Sequence, residues 1–269
     1  MSDEEAACAV AVEPGPVTRI TLNRPERRNA ITFAMQARLT ATIAECAARK
    51  DVKVLLVRGT GSVFCAGGDI FEYASVRKRT ALPQDARFIE VVAAFPKPIV
   101  VAVQGYAGPA VLESLIAHAD LLVATAGTRF CFEILNVYPT IGAMAIAWKL
   151  GPNIANELGL LANELTAERL YEIGVVNRVV PELDQANQLA EQWAARMSGM
   201  PLERLMAQKA AFRATFGKIA LAVEEWAPFA QAAASGEGES VHAQFEALAG
   251  TRGLKAARRF QDDVVKGKA

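Results

Sequence analysis

The chain has 269 residues, its 29 Lys and Arg balance 29 Asp and Glu, and 52% of its residues are hydrophobic. This length and apolar content predict one large domain, or one domain with a helical appendage, and exclude a disordered protein. The zero net charge gives no reason to expect nucleic acid or an acidic membrane surface as a partner.

Alternating β-rich and helical patterns fill the first half of the chain. A Pro-Gly-Pro turn between residues 8–13 and 17–23 predicts a β-hairpin. An amphipathic helix is expected over residues 31–50, with Thr32 as its N-cap. Further strands are predicted at residues 53–58, 98–104, 120–124 and 129–132, and further helices at residues 71–78, 83–95 and 111–118.

The second half of the chain is mostly helical in pattern, apart from a strand-like segment at residues 174–180. The strands are apolar without polar alternation, which is typical of an α/β unit whose sheet is covered on both faces. We therefore expect an α/β core over residues 1–200 and a C-terminal helical region over residues 201–269.

The first residues, the apolar runs and the cysteines indicate the cellular compartment. The first residues are acidic and polar, unlike a signal or transit peptide, and the longest apolar runs, about ten residues, are too short to span a bilayer. The four cysteines form no C-x-x-C pair, which indicates free thiols in a reducing compartment. With two histidines in the chain, we expect neither a histidine-based zinc site nor a Ser-His-Asp triad. A cytoplasmic protein with no membrane partner follows.

Two turns made of small residues each join a buried strand to the start of a helix. The first covers residues 62–70, and Asp69 suits its helix cap. The second covers residues 103–113, where Pro109 fits the first helical turn and leaves the amides of Ala110 and Val111 free. Two such turns can aim two backbone donors at one oxygen, which is what an oxyanion hole requires.

Two glutamates are candidates for acid–base chemistry near these turns. Glu113 lies about one helical turn beyond the second turn, and Glu133 ends a short strand among apolar neighbours. A carboxylate in apolar surroundings has a raised pKa, which suits general acid–base work. For each residue the alternative is an ordinary surface or loop carboxylate.

Four ordered segments resemble the crotonase (enoyl-CoA hydratase/isomerase) family, namely residues 18–31, 64–69, 97–107 and 165–181. The resemblance implies a crotonase-like ββα spiral core with a C-terminal helical trimerisation region, assembled as a homotrimer or a dimer of trimers. It also implies an acyl-CoA thioester as the substrate. Coenzyme A would then enter as part of the substrate, and neither a metal nor another cofactor would be needed.

The resemblance also implies roles for individual residues. Ala66 and Ala110 correspond to the oxyanion-hole donors, and Glu113 and Glu133 to the catalytic carboxylates. The substrate and coenzyme A contacts correspond to Arg28, Ala30, Cys65, Ala66, Gly67, Gly68, Asp69, Ile70 and Tyr106.

The chain departs from the family pattern at the second turn. Residues 108–111 stand where the family's hydratases usually carry a glycine triplet. Counted from Gly105, the second donor is Ala110, whereas counted back from Asp120 one extra residue is present. In the second alignment Val111 and Ser114 take the places of the donor and the first glutamate.

A similar ambiguity concerns the second glutamate, because Phe132 replaces Glu133 when the alignment is counted back from Pro139.

Three functions follow from these patterns. The first is a two-carboxylate enoyl-CoA hydratase, and the second is an enoyl-CoA isomerase that uses one carboxylate. The third is an acyl-CoA-binding protein without catalysis, in which Pro109 or Val111 closes the second turn. The acyl chain is not specified by any pattern.

Overall fold

The structure, a computed structural model, describes residues 9–69, 71–72, 81–131, 143–161 and 163–220, together with scattered residues between 244 and 263. The strands are β1 Val10–Glu13, β2 Val17–Leu22, β3 Val54–Gly59, β4 Ile99–Val103, β5 Tyr106–Ala107, β6 Leu121–Thr125, β7 Arg129–Phe130, β8 Leu165–Thr166 and β9 Arg178–Val180. The helices are α1 Phe33–Ala48, α2 Ala81–Ala94, α3 Pro109–Val111, α4 Ala143–Leu150, α5 Pro152–Leu160, α6 Ala167–Glu172, α7 Leu183–Ser198 and α8 Leu202–Ala220.

A six-stranded sheet forms the frame, in the order β1-β2-β3-β4-β6-β9. The β1–β2 pair is the antiparallel hairpin that the Pro-Gly-Pro turn predicts, and every other pair in this sheet is parallel. A small second sheet has the strand order β5-β7-β8. In the chain, β5 follows β4 directly and β7 follows β6. The α/β prediction is therefore confirmed.

Both faces of the large sheet are covered, which explains why its strands are apolar throughout. Leu55, Val57 and Val101 face a core shared with α1, while Leu56 and Val100 face the other side. That second side packs on three small residues of α7, namely Ala186, Ala190 and Ala194. The small side chains let α7 approach the sheet closely.

Helix α1 begins as the sequence predicts. The Thr32 hydroxyl accepts a hydrogen bond from the amide of Met35 at 3.1 Å, which satisfies one of the helix's unpaired N–H groups. The apolar residues buried along α1 recur at helical spacing: Met35, Leu39, Ile43 and Cys46.

The segment 174–180 is only partly a strand, because β9 covers Arg178–Val180. Gly174 has a φ of 79°, and the amides of Val175 and Val176 both donate to the Leu170 carbonyl. The two valines are therefore buried in a turn rather than in a sheet. The short strands β5 and β8 were not predicted, and residues 73–78 of the helix predicted at 71–78 lie outside the described part.

No helix in the described part of the chain is both long and apolar enough to cross a membrane.

Candidate oxyanion-hole site

The first small-residue turn lies beside residues 28–31. The amide of Ile31 donates to the Gly67 carbonyl at 2.8 Å, and the amide of Asp69 donates to the Ile31 carbonyl at 2.8 Å. These two bonds make a parallel bridge between Ile31 and Gly68. The N–H and C=O of Gly68 itself therefore point away from Ile31.

Residues 28–31 are held in place by Asn29, which is buried in the left-handed backbone region at a φ of 53°. Its side-chain amide donates to the carbonyls of Thr60 and Val63, and its side-chain oxygen accepts from the Arg24 amide at 2.7 Å. Sequence reasoning missed Asn29. The available signal was an asparagine, a residue that tolerates this backbone region, inside the N-terminal motif.

An ion pair joins the N-terminal motif to the first turn. The guanidinium of Arg24 lies 2.8 Å from the Asp69 carboxylate and also donates to the Ala30 carbonyl at 3.2 Å. The other Asp69 oxygen accepts from the amide of Phe71, as expected for a helix-capping residue. Arg24 was also missed from the sequence, because nothing local indicates its partner 45 residues away.

The two turns are in direct contact. The Cys65 amide donates to the Tyr106 carbonyl at 3.2 Å, and the Gly108 amide donates to the Cys65 carbonyl at 2.8 Å. A Cβ atom on Gly108 would lie 2.5 Å from the Ala66 oxygen, and one on Gly67 would lie 3.2 Å from Cδ of Pro109. Gly67 also has a φ of 108°. Only glycines allow this approach of the two backbones.

Three amides at this contact have no hydrogen-bond acceptor among the described residues: those of Gly68, Ala110 and Val111. Gly68 and Ala110 are half-buried, whereas their neighbours Gly67 and Pro109 are buried. The amide of Ala66 is different, because it donates to the Arg28 carbonyl at 2.9 Å. Ala66 is therefore already engaged within the protein.

The helix after the second turn begins at Pro109, which the sequence predicts to lie in the first helical turn, and Gly108 is its N-cap. It continues as a π-helical turn over Leu112–Ile116, in which the Ala117 amide reaches back five residues to the Leu112 carbonyl. A π-turn holds one residue more than an α-turn. The π-turn therefore accommodates the one extra residue that is present when the family alignment is counted back from Asp120.

The two alternative candidates in this helix have different surroundings. Glu113 is half-buried and lies three residues beyond Ala110, which places both on one side of the helix. Ser114 is fully buried, and its hydroxyl donates to the Ala110 carbonyl at 2.6 Å. The side chain of Val111 is buried in the core rather than over the turn. The geometry favours the alignment counted from Gly105.

The remaining predicted site residues are placed as follows. Tyr106 is half-buried, and the Arg129 guanidinium lies 5.8 Å from the centre of its ring. Burial raises the pKa of the Cys65 thiol to about 12, so this thiol stays protonated and is not a nucleophile. Ile70, Phe132 and Glu133 lie outside the described residues. Within the described part, no three His, Cys, Asp or Glu side chains gather as metal ligands would.

Comparison with known proteins shows one family. The family described as Enoyl-CoA hydratase/isomerase matches residues 13–263 of the chain. The "Probable enoyl-CoA hydratase 1, peroxisomal" of Arabidopsis thaliana is 31% identical over 199 residues, which covers 72% of this chain and 75% of the relative. The 1,2-epoxyphenylacetyl-CoA isomerase of Escherichia coli is 32% identical, with coverage of 69% and 75%.

A solved structure agrees with this result. An enoyl-CoA hydratase/isomerase from Xanthobacter autotrophicus Py2 superposes with a TM-score of 0.84 at 28% identity, covering 94% of this chain and 97% of that one. The crotonase fold expected from the sequence is confirmed.

Proposed function

Because the chain belongs to the enoyl-CoA hydratase/isomerase (crotonase) family, we propose that it is an enoyl-CoA hydratase that adds water to a 2-enoyl-CoA thioester. The observation that carries this proposal is the contact between the two turns, which brings the amides of Gly68 and Ala110, unpaired among the described residues, to neighbouring positions with Glu113 one turn further on. Two backbone donors beside a carboxylate suit chemistry that passes through an enolate.

The reaction would proceed in two steps. A carboxylate takes a proton from water while the water oxygen bonds to Cβ, and the double-bond electrons move onto the thioester oxygen as an enolate. The two amides stabilise this oxygen, since each such donor is worth about 2.7–4 kcal/mol where it has been removed from an enzyme. The protonated acid then delivers its proton to Cα, the thioester carbonyl re-forms and the carboxylate is regenerated.

The first oxyanion donor in this proposal is Gly68 rather than Ala66. The Ala66 amide already donates to the Arg28 carbonyl, and a thioester oxygen would have to break that bond. The Gly68 amide lacks an acceptor in the described part of the chain. Ala110 stays as the second donor, and Glu113 and Glu133 stay as the two carboxylates.

Coenzyme A is proposed to lie along residues 28–31 and the first turn. The backbone bonds of Arg28 and Ile31 to the turn bring Arg28 and Ala30 beside Ala66 and Gly67. Arg28 is exposed, and the neighbouring Arg27 is exposed as well, so both guanidinium groups can meet the phosphates of the ligand. Asp69 is engaged by Arg24, and its part in this site is to hold the turn.

The site's geometry argues against a binding protein without catalysis. That alternative supposed that Pro109 or Val111 closes the second turn. Pro109 occupies the first helical position, where a missing N–H costs nothing, and the Val111 side chain is buried in the core. The neighbouring Ala110 amide is left half-buried and unpaired among the described residues.

The test is to incubate the purified protein with crotonyl-CoA and follow the product mass. We expect gain of one water, and Glu113→Gln and Glu133→Gln should each lower the rate about 100-fold or more, as expected when an acid–base group is lost. Glu172→Gln, an exposed carboxylate on α6, is the control and should leave the rate unchanged. Undiminished hydration in both active-site variants would rule out the two-carboxylate mechanism.

An enoyl-CoA isomerase is the second candidate, because the matching family is described as Enoyl-CoA hydratase/isomerase. A single carboxylate would move a proton from one carbon to another without adding water. This candidate predicts conversion of a 3-enoyl-CoA to the 2-enoyl isomer. It also predicts that Glu133→Gln abolishes turnover whereas Glu113→Gln does not.

A further inference from the structure

Ser114 is a buried polar residue inside the helix that follows the second turn. Its side chain is fully buried, and its hydroxyl donates to the Ala110 carbonyl at 2.6 Å, four residues back. The helical run from Pro109 to His118 is interrupted there by the π-helical turn Leu112–Ile116. Ser114 thus joins the π-turn to the first turn of the same helix.

The carbonyl that Ser114 contacts belongs to the peptide group between Ala110 and Val111. A peptide group is planar, so fixing its oxygen also fixes the direction of its N–H, which is the amide of Val111. The Ala110 amide lies on the other side of the same Cα atom. Both amides lack acceptors in the described part of the chain. The hydrogen bond to the carbonyl therefore polarises the Val111 N–H directly, whereas it acts on the Ala110 N–H, the proposed donor, by holding the Cα atom that joins the two peptide groups.

We propose that Ser114 is a positioning residue: its hydroxyl fixes the Ala110–Val111 peptide so that the second turn presents its amides to the thioester oxygen. This inference rests on the proposed function. Ser114 does not touch the substrate. It acts through the backbone of Ala110, at a point where the π-turn replaces the regular hydrogen-bond pattern of an α-helix.

A serine hydroxyl bonded four residues back also occurs in helices with no active site, so a structural role must be distinguished from positioning. The chain offers a matched control, because the Thr40 hydroxyl in α1 donates to the Gln36 carbonyl at 2.8 Å with the same spacing. Ser114→Ala and Thr40→Ala each remove a hydroxyl-to-carbonyl bond of the same spacing, the first at a fully buried and the second at a half-buried residue. Ser114→Thr keeps the hydroxyl.

The experiment measures the absorption of bound cinnamoyl-CoA, whose conjugated carbonyl shifts to longer wavelength when hydrogen-bond donors polarise it. It also measures kcat and KM with crotonyl-CoA. We expect Ser114→Ala to shrink the red shift and to lower kcat about tenfold, less than the loss of a whole donor, with KM unchanged. Thr40→Ala should match the wild-type protein, and Ser114→Thr should restore the shift.

The possible failures are distinguishable. A wild-type protein that binds cinnamoyl-CoA without any red shift overturns the proposed function, and the role of Ser114 with it. A wild-type red shift that Ser114→Ala retains in full, with kcat unchanged, overturns only the role of Ser114. Equal losses in Ser114→Ala and Thr40→Ala would likewise mean that the hydroxyl serves helix stability alone.

Discussion

His118 illustrates at the scale of one residue how burial controls ionisation. Its Nε2 atom is buried without a hydrogen-bond partner in the described part of the chain. Burial, reinforced by the positive charges of Arg213, Lys149 and Lys209, lowers its pKa to about 3. The imidazole is therefore neutral at physiological pH and packs as an apolar ring.

This depressed pKa makes the protein sensitive to acid. The unfolded chain binds a proton at His118 below about pH 6.5 whereas the folded chain does not, so the free energy of unfolding falls as the pH drops from 6.5 toward 3. We expect His118→Gln to flatten this dependence, with a difference on the order of 1–2 kcal/mol at pH 5. Urea unfolding at pH 7.5 and pH 5 measures it. An equal pH dependence in the variant would contradict the assignment.

The contact between the two turns is the decisive feature at the scale of elements. Each turn is local in sequence, but the oxyanion-hole candidate exists only where Gly108 meets Ala66 and Gly67 meets Pro109. The main chains approach so closely that side chains are excluded. At Gly108, whose φ is ordinary, activity should therefore depend on side-chain volume rather than on backbone flexibility.

Gly108 and Gly199 provide a matched pair for this point. Both have an ordinary backbone, with φ of −84° and −72°. A Cβ on Gly108 would lie 2.5 Å from the Ala66 oxygen, whereas one on Gly199 would lie 3.5 Å from the Arg196 oxygen. We expect Gly108→Ala to lower the free energy of unfolding by about 1–3 kcal/mol and to reduce turnover of crotonyl-CoA. Gly199→Ala should change neither, and equal behaviour of the two variants in denaturation and turnover would show that the contact is not tight.

At the scale of the whole molecule, basic residues of α8 attach the C-terminal part to the core. The ammonium of Lys209 donates to the Lys97 carbonyl at 2.7 Å and to the Asp120 carboxylate at 2.6 Å. The Arg213 guanidinium donates to the Phe95 carbonyl at 3.2 Å. Burial lowers the pKa of Lys209 to about 8, and the Asp120 carboxylate opposes this shift.

Removing Lys209 should loosen this attachment. Lys209→Met leaves the buried Lys97 carbonyl without the ammonium donor and leaves Asp120 with the Ile99 amide as its remaining donor, and we expect a loss of about 2 kcal/mol in the free energy of unfolding. Chemical denaturation measures it. Arg169→Ala, which breaks an exposed pair with Glu172, is the control and should have little effect. If Lys209→Met leaves the free energy of unfolding unchanged, apolar packing alone holds α8 against the core.

The division at residue 200, the homotrimer and the cytoplasmic location stay predictions. Sedimentation of the purified protein tests the assembly, with the mass of three chains of 28.8 kDa expected for a homotrimer and of six for a dimer of trimers. Relatives include proteins named as peroxisomal in Arabidopsis thaliana and mitochondrial in Rattus norvegicus.

The sequence by itself determined the features that depend on neighbours along the chain. The Thr32 cap, the hairpin at the Pro-Gly-Pro turn and Pro109 at the helix start each follow from the preference of one residue for one local conformation. The family could also be recognised, because its motifs are short and ordered along the chain. At residues 174–180 the apolar pattern predicts a strand, but only Arg178–Val180 forms one. The prediction fails because apolar side chains can be buried in a turn as well as in a strand.

Only the tertiary structure decided which amides are available for a ligand. The Ala66 amide is occupied by Arg28, 38 positions earlier in the chain, while the adjacent turn leaves Gly68 and Ala110 unpaired among the described residues. The π-turn that takes up the extra residue before Asp120 likewise had no local signal. Hydrogen bonding between segments far apart in sequence depends on how the backbones meet, and residue preferences do not encode that meeting.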